Sequence, residues 1–309
     1  MAFSPIKNTY SVIFRDLKPF LLISFAFSWC IFILADGFLV PQYIGQHRYA
    51  TANFTALFGH GLAMFGPALG AWVSWKRYRI GKVPNWIWSR SQYYILALGL
   101  LFCYWMVPAI LGIAFGGRYS FVFPSEPFQK ILIVSGFSLY WLFGLGEEIG
   151  WCGFLIPALT ERTSAMNSLV ISGAIRGLWH LPVLVAPIVR LVTSNQKSVS
   201  WMGMMTLVFA VQLMLSNIAF GSFYFWIWRK TKSLPLVGWL HQWYDAFRDI
   251  AMLLVANYRA SQWVKLYSGL VMGLSAGYVI MLILRNSAAG IGPSQKIHLV
   301  ETSDSGDLD

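Results

Sequence analysis

Apolar stretches long enough to cross a bilayer follow one another along almost the whole of this chain, and that succession constrains its fold more than any motif. A hydrocarbon core takes about 20 consecutive apolar residues of helix to span. Runs near that length recur through the chain, which is 309 residues long and 57% hydrophobic. Charged residues make up 11%, against the roughly 25% of a soluble domain, so no solvated surface could cover such a chain. The fold class expected is all-α, a polytopic transmembrane helical bundle.

We read about eight spans, near residues 19–40, 54–75, 93–116, 131–160, 166–190, 202–228, 234–256 and 265–285. Residues 1–18 read as a cytoplasmic N-terminal segment, 19–285 as the transmembrane domain and 286–309 as a polar, disordered tail. The first apolar run is too long for a cleavable signal-peptide core. The fourth span exceeds one crossing, and a tilt, kink or break is expected near Gly144 and Gly146.

A net charge of +11 invites a nucleic-acid partner, but the basic residues sit in short clusters between apolar spans, such as Lys76, Arg77, Arg79 and Lys82. That is the pattern of loops held near anionic lipid, and it argues against nucleic acid. The N-terminus, the even-numbered loops and the tail carry 14 of the 23 Lys and Arg, and the other loops 7. Both termini are therefore expected on the cytoplasmic side, in the plasma membrane. Cys30, Cys103 and Cys152 form neither a disulfide framework nor a metal motif and read as small packed hydrophobes. Small residues four apart, Gly66 with Gly70 and Gly173 with Gly177, mark close helix contacts, as do Gly269, Gly273 and Gly277.

Against this background a few polar groups stand out. A carboxylate in the hydrocarbon region costs about 2.5–3.5 kcal/mol on insertion scales, yet Glu147 and Glu148 fall inside the fourth span. The fifth span holds Arg176 and His180, and the seventh holds His241, Asp245, Arg248 and Asp249. Glu147, His180 and His241 lie at depths that let them meet in the cytoplasmic half of the membrane. His241 and Asp245, four apart, share a helix face. Two glutamates, two histidines and an aspartate gathered in a dry site suit hydrolysis. A desolvated glutamate can take a proton from water, and histidines can bind a metal or stabilise an oxyanion. His60 on the second span reads as a hydrogen-bonding helix residue, with lining of the cavity the alternative, and Arg248 with Asp249 as an interfacial ion pair.

The stretches "EEIGWCGFLIP" (147–157), "GAIRGLWHLP" (173–182) and "HQWYD" (241–245) resemble the three motifs of the CPBP family of intramembrane proteases. That family includes type II CAAX prenyl endopeptidases and the Abi-like bacterial proteins of bacteriocin processing and immunity. Its pattern is Glu-Glu-x-x-x-Arg, then Phe-x-x-x-His, then His-x-x-x-Asn or Asp. The resemblance spans residues 55–250, with its motif core at about 131–256, and makes 19–285 a protease-like domain. It implies an intramembrane endopeptidase in which Glu147 activates water with help from His180, and Glu148 supports them. His241 and Asp245 would stabilise the oxyanion or orient the substrate carbonyl. The substrate implied is a membrane peptide or lipidated, CAAX-type protein. Two chemistries stay open: Zn²⁺ held by Glu147, His180 and His241 with one open position, or no metal at all.

Two positions depart from the pattern: Cys152 stands for the motif arginine and Arg176 for the motif phenylalanine. Either Arg176 takes over the partnership with Glu148 from a neighbouring helix, or the site has decayed. Decay would leave a catalytically inactive membrane binding or immunity protein that keeps the fold.

Overall fold

The computed structural model describes residues 5–78, 80, 83–84, 86–114, 127–194, 197–254 and 277–278, and among them there is no strand. Helix α1 (Pro5–Phe32) passes through a π-helical segment (Ile33–Leu39) into α2 (Val40–Gly45). Then come α3 (Tyr49–Ala63), α4 (Phe65–Lys76), α5 (Ser91–Ala114) and α6 (Pro127–Gly150). A second π-helical segment (Trp151–Leu155) joins α6 to the short α7 (Ile156–Thr160). The chain continues as α8 (Ala165–Trp179), α9 (Leu181–Thr193), α10 (Val199–Thr231) and α11 (Leu234–Leu254).

Among the described residues, six helical stretches are long and apolar enough to cross a membrane, and they coincide with the first six spans read from sequence. The chain is an all-α, multi-pass membrane protein. The seventh expected span is the helix α11; Asp245, Arg248 and Asp249 burden it too heavily for apolarity alone to single it out. All of the eighth span except residues 277–278 lies outside the described residues, as do the Gly269–Gly273 ridge and the tail.

Where the helices break has local causes. The second span divides at Met64 into α3 and α4. The fifth divides at His180, beyond which Pro182 has no N–H to continue the ladder. The fourth runs straight through Gly144 and Gly146, and its irregularity falls later, in the π-helical segment at Trp151–Leu155. Such π turns recur at functional sites.

Glycines instead permit close approach between helices. A Cβ on Gly173 would stand 2.6 Å from the Ile218 backbone, and one on Gly177 2.6 Å from the Leu213 carbonyl oxygen, so α8 and α10 lie backbone to backbone. Gly66 and Gly70 hold α4 against α1 in the same way. In a membrane this close packing, rather than a hydrophobic drive, holds helices together.

Ser198 caps α10 by accepting from the Trp201 N–H at 3.2 Å. The helix ends at Lys232, which takes a left-handed conformation with φ of 53°. Ser233 then accepts from the Leu236 N–H and starts α11. From this tight turn the two helices diverge. α10 packs on α8 and α9, while α11 packs on α5 and α6. One apolar cluster fills the α5–α6–α10–α11 side, around Tyr224, Phe225 and Leu240. Another, around Phe20, Trp151 and Trp179, binds α1 and α4 to the π-helical segment and the α8–α9 corner. Between the diverging helices lies a cavity. Of the cysteines only Cys152 is packed inside; Cys30 and Cys103 lie on the outer surface.

Candidate active site

A cavity of about 300 Å³ collects side chains from six helices, among them Glu147, Arg176, His180, His241 and Asp245. Every residue singled out from the sequence for chemistry lines this space except Glu148, which sits immediately behind it. Glu147 and Glu148 are essentially inaccessible, at 1% and 0% exposure.

Glu147 and Trp151 are four apart on α6 and its π-helical continuation, so their side chains meet. The Trp151 indole N–H donates to Glu147 Oε2 at 3.0 Å. The other oxygen, Oε1, has no hydrogen-bond partner among the described residues. A buried carboxylate oxygen left unbonded is costly and stands ready to accept from whatever enters the cavity.

His180 owes its position to the break between α8 and α9. In a continuing helix its backbone N–H would reach the Arg176 carbonyl; at the corner it turns to Gly177 O, at 3.2 Å. The Arg176 carbonyl receives the ring instead, with Nδ1 donating at 2.8 Å. A neutral ring held this way presents Nε2 as an acceptor, and this atom has no protein partner among the described residues. The Trp29 indole closes the same corner by donating to Trp179 O at 3.0 Å.

His241 lies between two carboxylates. Its Nδ1 donates to Glu148 Oε1 at 3.0 Å, and its Nε2 stands 3.5 Å from Asp245 Oδ2. Asp245 in turn accepts from Arg248 Nη1 at 2.7 Å, and Arg248 Nε donates to Asp249 at 2.8 Å. Arg248, expected to sit in an interfacial pair, therefore joins the site and lines the cavity.

The Arg176 guanidinium donates to Glu148 Oε1 at 2.5 Å, with exposures of 5% and 0% for the two side chains. It also faces the rings of Tyr224, at 5.1 Å, and Trp151, at 6.0 Å. Cys152 is fully buried, and its small side chain leaves room for a cation arriving from α8. Position 152 lacks an arginine, yet Glu148 has one.

Glu147, Glu148 and His241 bring ligand atoms within 4.8 Å of one another. His180, included in the metal set read from sequence, is not part of that trio. Sequence reasoning did not name Ser216 and Asn217, which line the cavity from α10, and took His60 first as a hydrogen-bonding helix residue, whereas it lines the cavity from α3. For His60 a signal was present, an ionisable group inside an apolar span.

Residues 129–247 match the family model described as type II CAAX prenyl endopeptidase Rce1-like. The matched segment contains all three motifs and ends two residues past Asp245. No curated protein matches the chain.

Proposed function

From the match of residues 129–247 to the type II CAAX prenyl endopeptidase Rce1-like model, we propose that this protein is a membrane-embedded endopeptidase using a glutamate-activated water. It acts in the plasma membrane with its cavity opening to the cytoplasm. Its substrate is an apolar or lipidated, CAAX-type peptide cut close to the bilayer.

The observation that carries the reading is the unspent oxygen of Glu147 in a cavity shared with His180 and His241. Glu147 Oε1 takes a proton from water while Trp151 holds the other oxygen in place. The acceptor Nε2 of His180 holds the second water proton and orients the lone pair toward the scissile carbonyl. His241, held as an imidazolium between two carboxylates, donates through Nδ1 to Glu148 and turns its Nε2–H, which faces Asp245, toward the carbonyl oxygen. As the tetrahedral intermediate collapses, the C–N bond breaks and the proton on Glu147 passes to the leaving amine. A positioned acid–base group of this kind contributes about 10²–10⁴-fold.

The proposed reaction calls on no metal, and the arginine beside the acidic pair argues against one. Glu148 Oε1 is already shared by a guanidinium at 2.5 Å and an imidazole N–H at 3.0 Å. A divalent cation there would face the Arg176 charge and compete for both bonds. The inactive-protein reading rested on an unpaired Glu148, and the Arg176 pairing removes that ground.

The test uses the purified full chain in liposomes with fluorogenic lipopeptides. Cleavage by the wild type that disappears in both Glu147→Gln and His180→Ala supports the reading. Cleavage unchanged in those variants, or a silent wild type that still binds the peptides, defeats it.

A further inference from the structure

Among the described residues, the cavity has one nitrogen-bearing side chain with no hydrogen-bond partner. Six such side chains line it: His60, Arg176, His180, Asn217, His241 and Arg248. Five donate to protein acceptors. Arg176 bonds Glu148, His180 bonds the Arg176 carbonyl, and Asn217 bonds the Leu213 carbonyl at 2.9 Å. His241 bonds Glu148, and Arg248 bonds both Asp245 and Asp249. His60 makes no hydrogen bond to any described residue; its one ring contact is with Phe32, centroids 5.2 Å apart.

Its placement is firmly set. Gly59 and Gly61 flank it, and a Cβ on either would come within 2.5 Å of a neighbour: Ala35 for Gly59 and the Phe143 ring for Gly61. The two glycines thus seat α3 against the first π-helical segment and against α6. Phe143 is one turn before Glu147, so the contact that fixes α3 also fixes His60 relative to the attacking carboxylate. An imidazole with both nitrogens free of protein partners is costly in a membrane interior, and its cost is met when a ligand accepts from it. In either neutral tautomer one ring nitrogen carries a proton.

We propose that His60 is a further catalytic residue, donating a ring N–H to the scissile carbonyl oxygen as negative charge develops there. This rests on the hydrolytic reading above and adds a second donor beside His241. It also places part of the reaction centre on α3, outside the matched segment 129–247. Donors aimed at a developing oxyanion are worth about 10²–10³-fold each in kcat.

The experiment compares wild type, His60→Leu and His60→Gln in liposomes, reading kcat and KM for a fluorogenic lipopeptide. Affinity for a phosphinic peptide analogue, which mimics the tetrahedral species, and thermal unfolding are read alongside. His60→Leu is expected to lower kcat about 10²-fold, with KM within about threefold of wild type, and to weaken phosphinate binding in proportion. His60→Gln, which keeps an N–H donor, recovers at least a tenth of the activity. If His60→Leu cleaves as wild type does, the inference is overturned and the hydrolytic reading stands. Parallel losses of activity and thermal stability in both variants would make His60 structural and also overturn it. A wild type that neither cleaves nor binds the phosphinate brings down both.

Discussion

Arg176 on α8 reaches Glu148 on α6 at 2.5 Å, so the acid is neutralised from another helix rather than by a residue one turn along its own. The same residue serves the site twice, because its backbone carbonyl anchors His180 at 2.8 Å. The side chain therefore governs Glu148 and His241, whereas His180 depends only on the course of the main chain.

Arg176→Ala is expected to destabilise the protein by about 3–5 kcal/mol, the cost of leaving a buried charge unpaired, and to abolish cleavage. Cys152→Arg alone adds a second cation beside the first and also lowers stability. The double variant Cys152→Arg with Arg176→Phe restores the family pattern and regains both. Thermal unfolding and lipopeptide cleavage measured across the three variants check this, and a double variant no better than either single one would refute it.

Trp151→Phe removes the hydrogen bond to Glu147 Oε2. Bonds to charged groups are worth about 1.5–3 kcal/mol, so kcat should fall at least tenfold while KM stays close to wild type. A change confined to thermal stability would show that the indole serves packing alone.

Gly144→Ala puts a methyl group 2.8 Å from His241 Cβ. Overpacking of this kind costs about 1–3 kcal/mol, and the displaced imidazole should lose most of its catalytic contribution. Gly99→Ala, where nothing stands within 4 Å of the new Cβ, is the matched control and should cleave normally. Equal activities in the two variants would contradict the close α6–α11 approach as a determinant of the site.

Dialysis against a chelator should leave the cleavage rate unchanged, since Glu148 Oε1 is already engaged by Arg176 and His241 and the Arg176 charge stands beside the acidic pair. Loss of activity that returns on adding Zn²⁺ would overturn the metal-free mechanism.

Much of this arrangement was legible in the residues. Glu147, His180 and His241 stood out because ionisable groups are expensive in apolar spans, and their helices do converge on one cavity. The missing motif arginine and the extra Arg176 could be linked because both concern the charge balance of one carboxylate. Other features depended on packing that no periodicity encodes. The π-helical turn at Trp151–Leu155 has no glycine or proline signal of its own beyond Gly153, and the glycines that suggested a kink serve helix contact instead. His60 could be flagged as polar, but its lack of an acceptor among the described residues emerges only when six helices are assembled around the cavity. Ser216 and Asn217 face the cavity on a helix whose other sides carry exposed apolar residues such as Leu207 and Leu215.

The burdened helix α11 has a bearing on how the protein is made. Its charged side chains are partnered both along the helix and across to a neighbour: Arg248 bridges Asp245 and Asp249 on α11 itself, while Tyr140 of α6 donates to Asp249 at 2.9 Å and Glu148 of α6 holds His241. A segment with so many charges partitions poorly from the translocon into lipid by itself. Tyr140 and Glu148 of α6 offset part of that cost, so packing against α6 is expected to favour the retention of α11 in the bilayer.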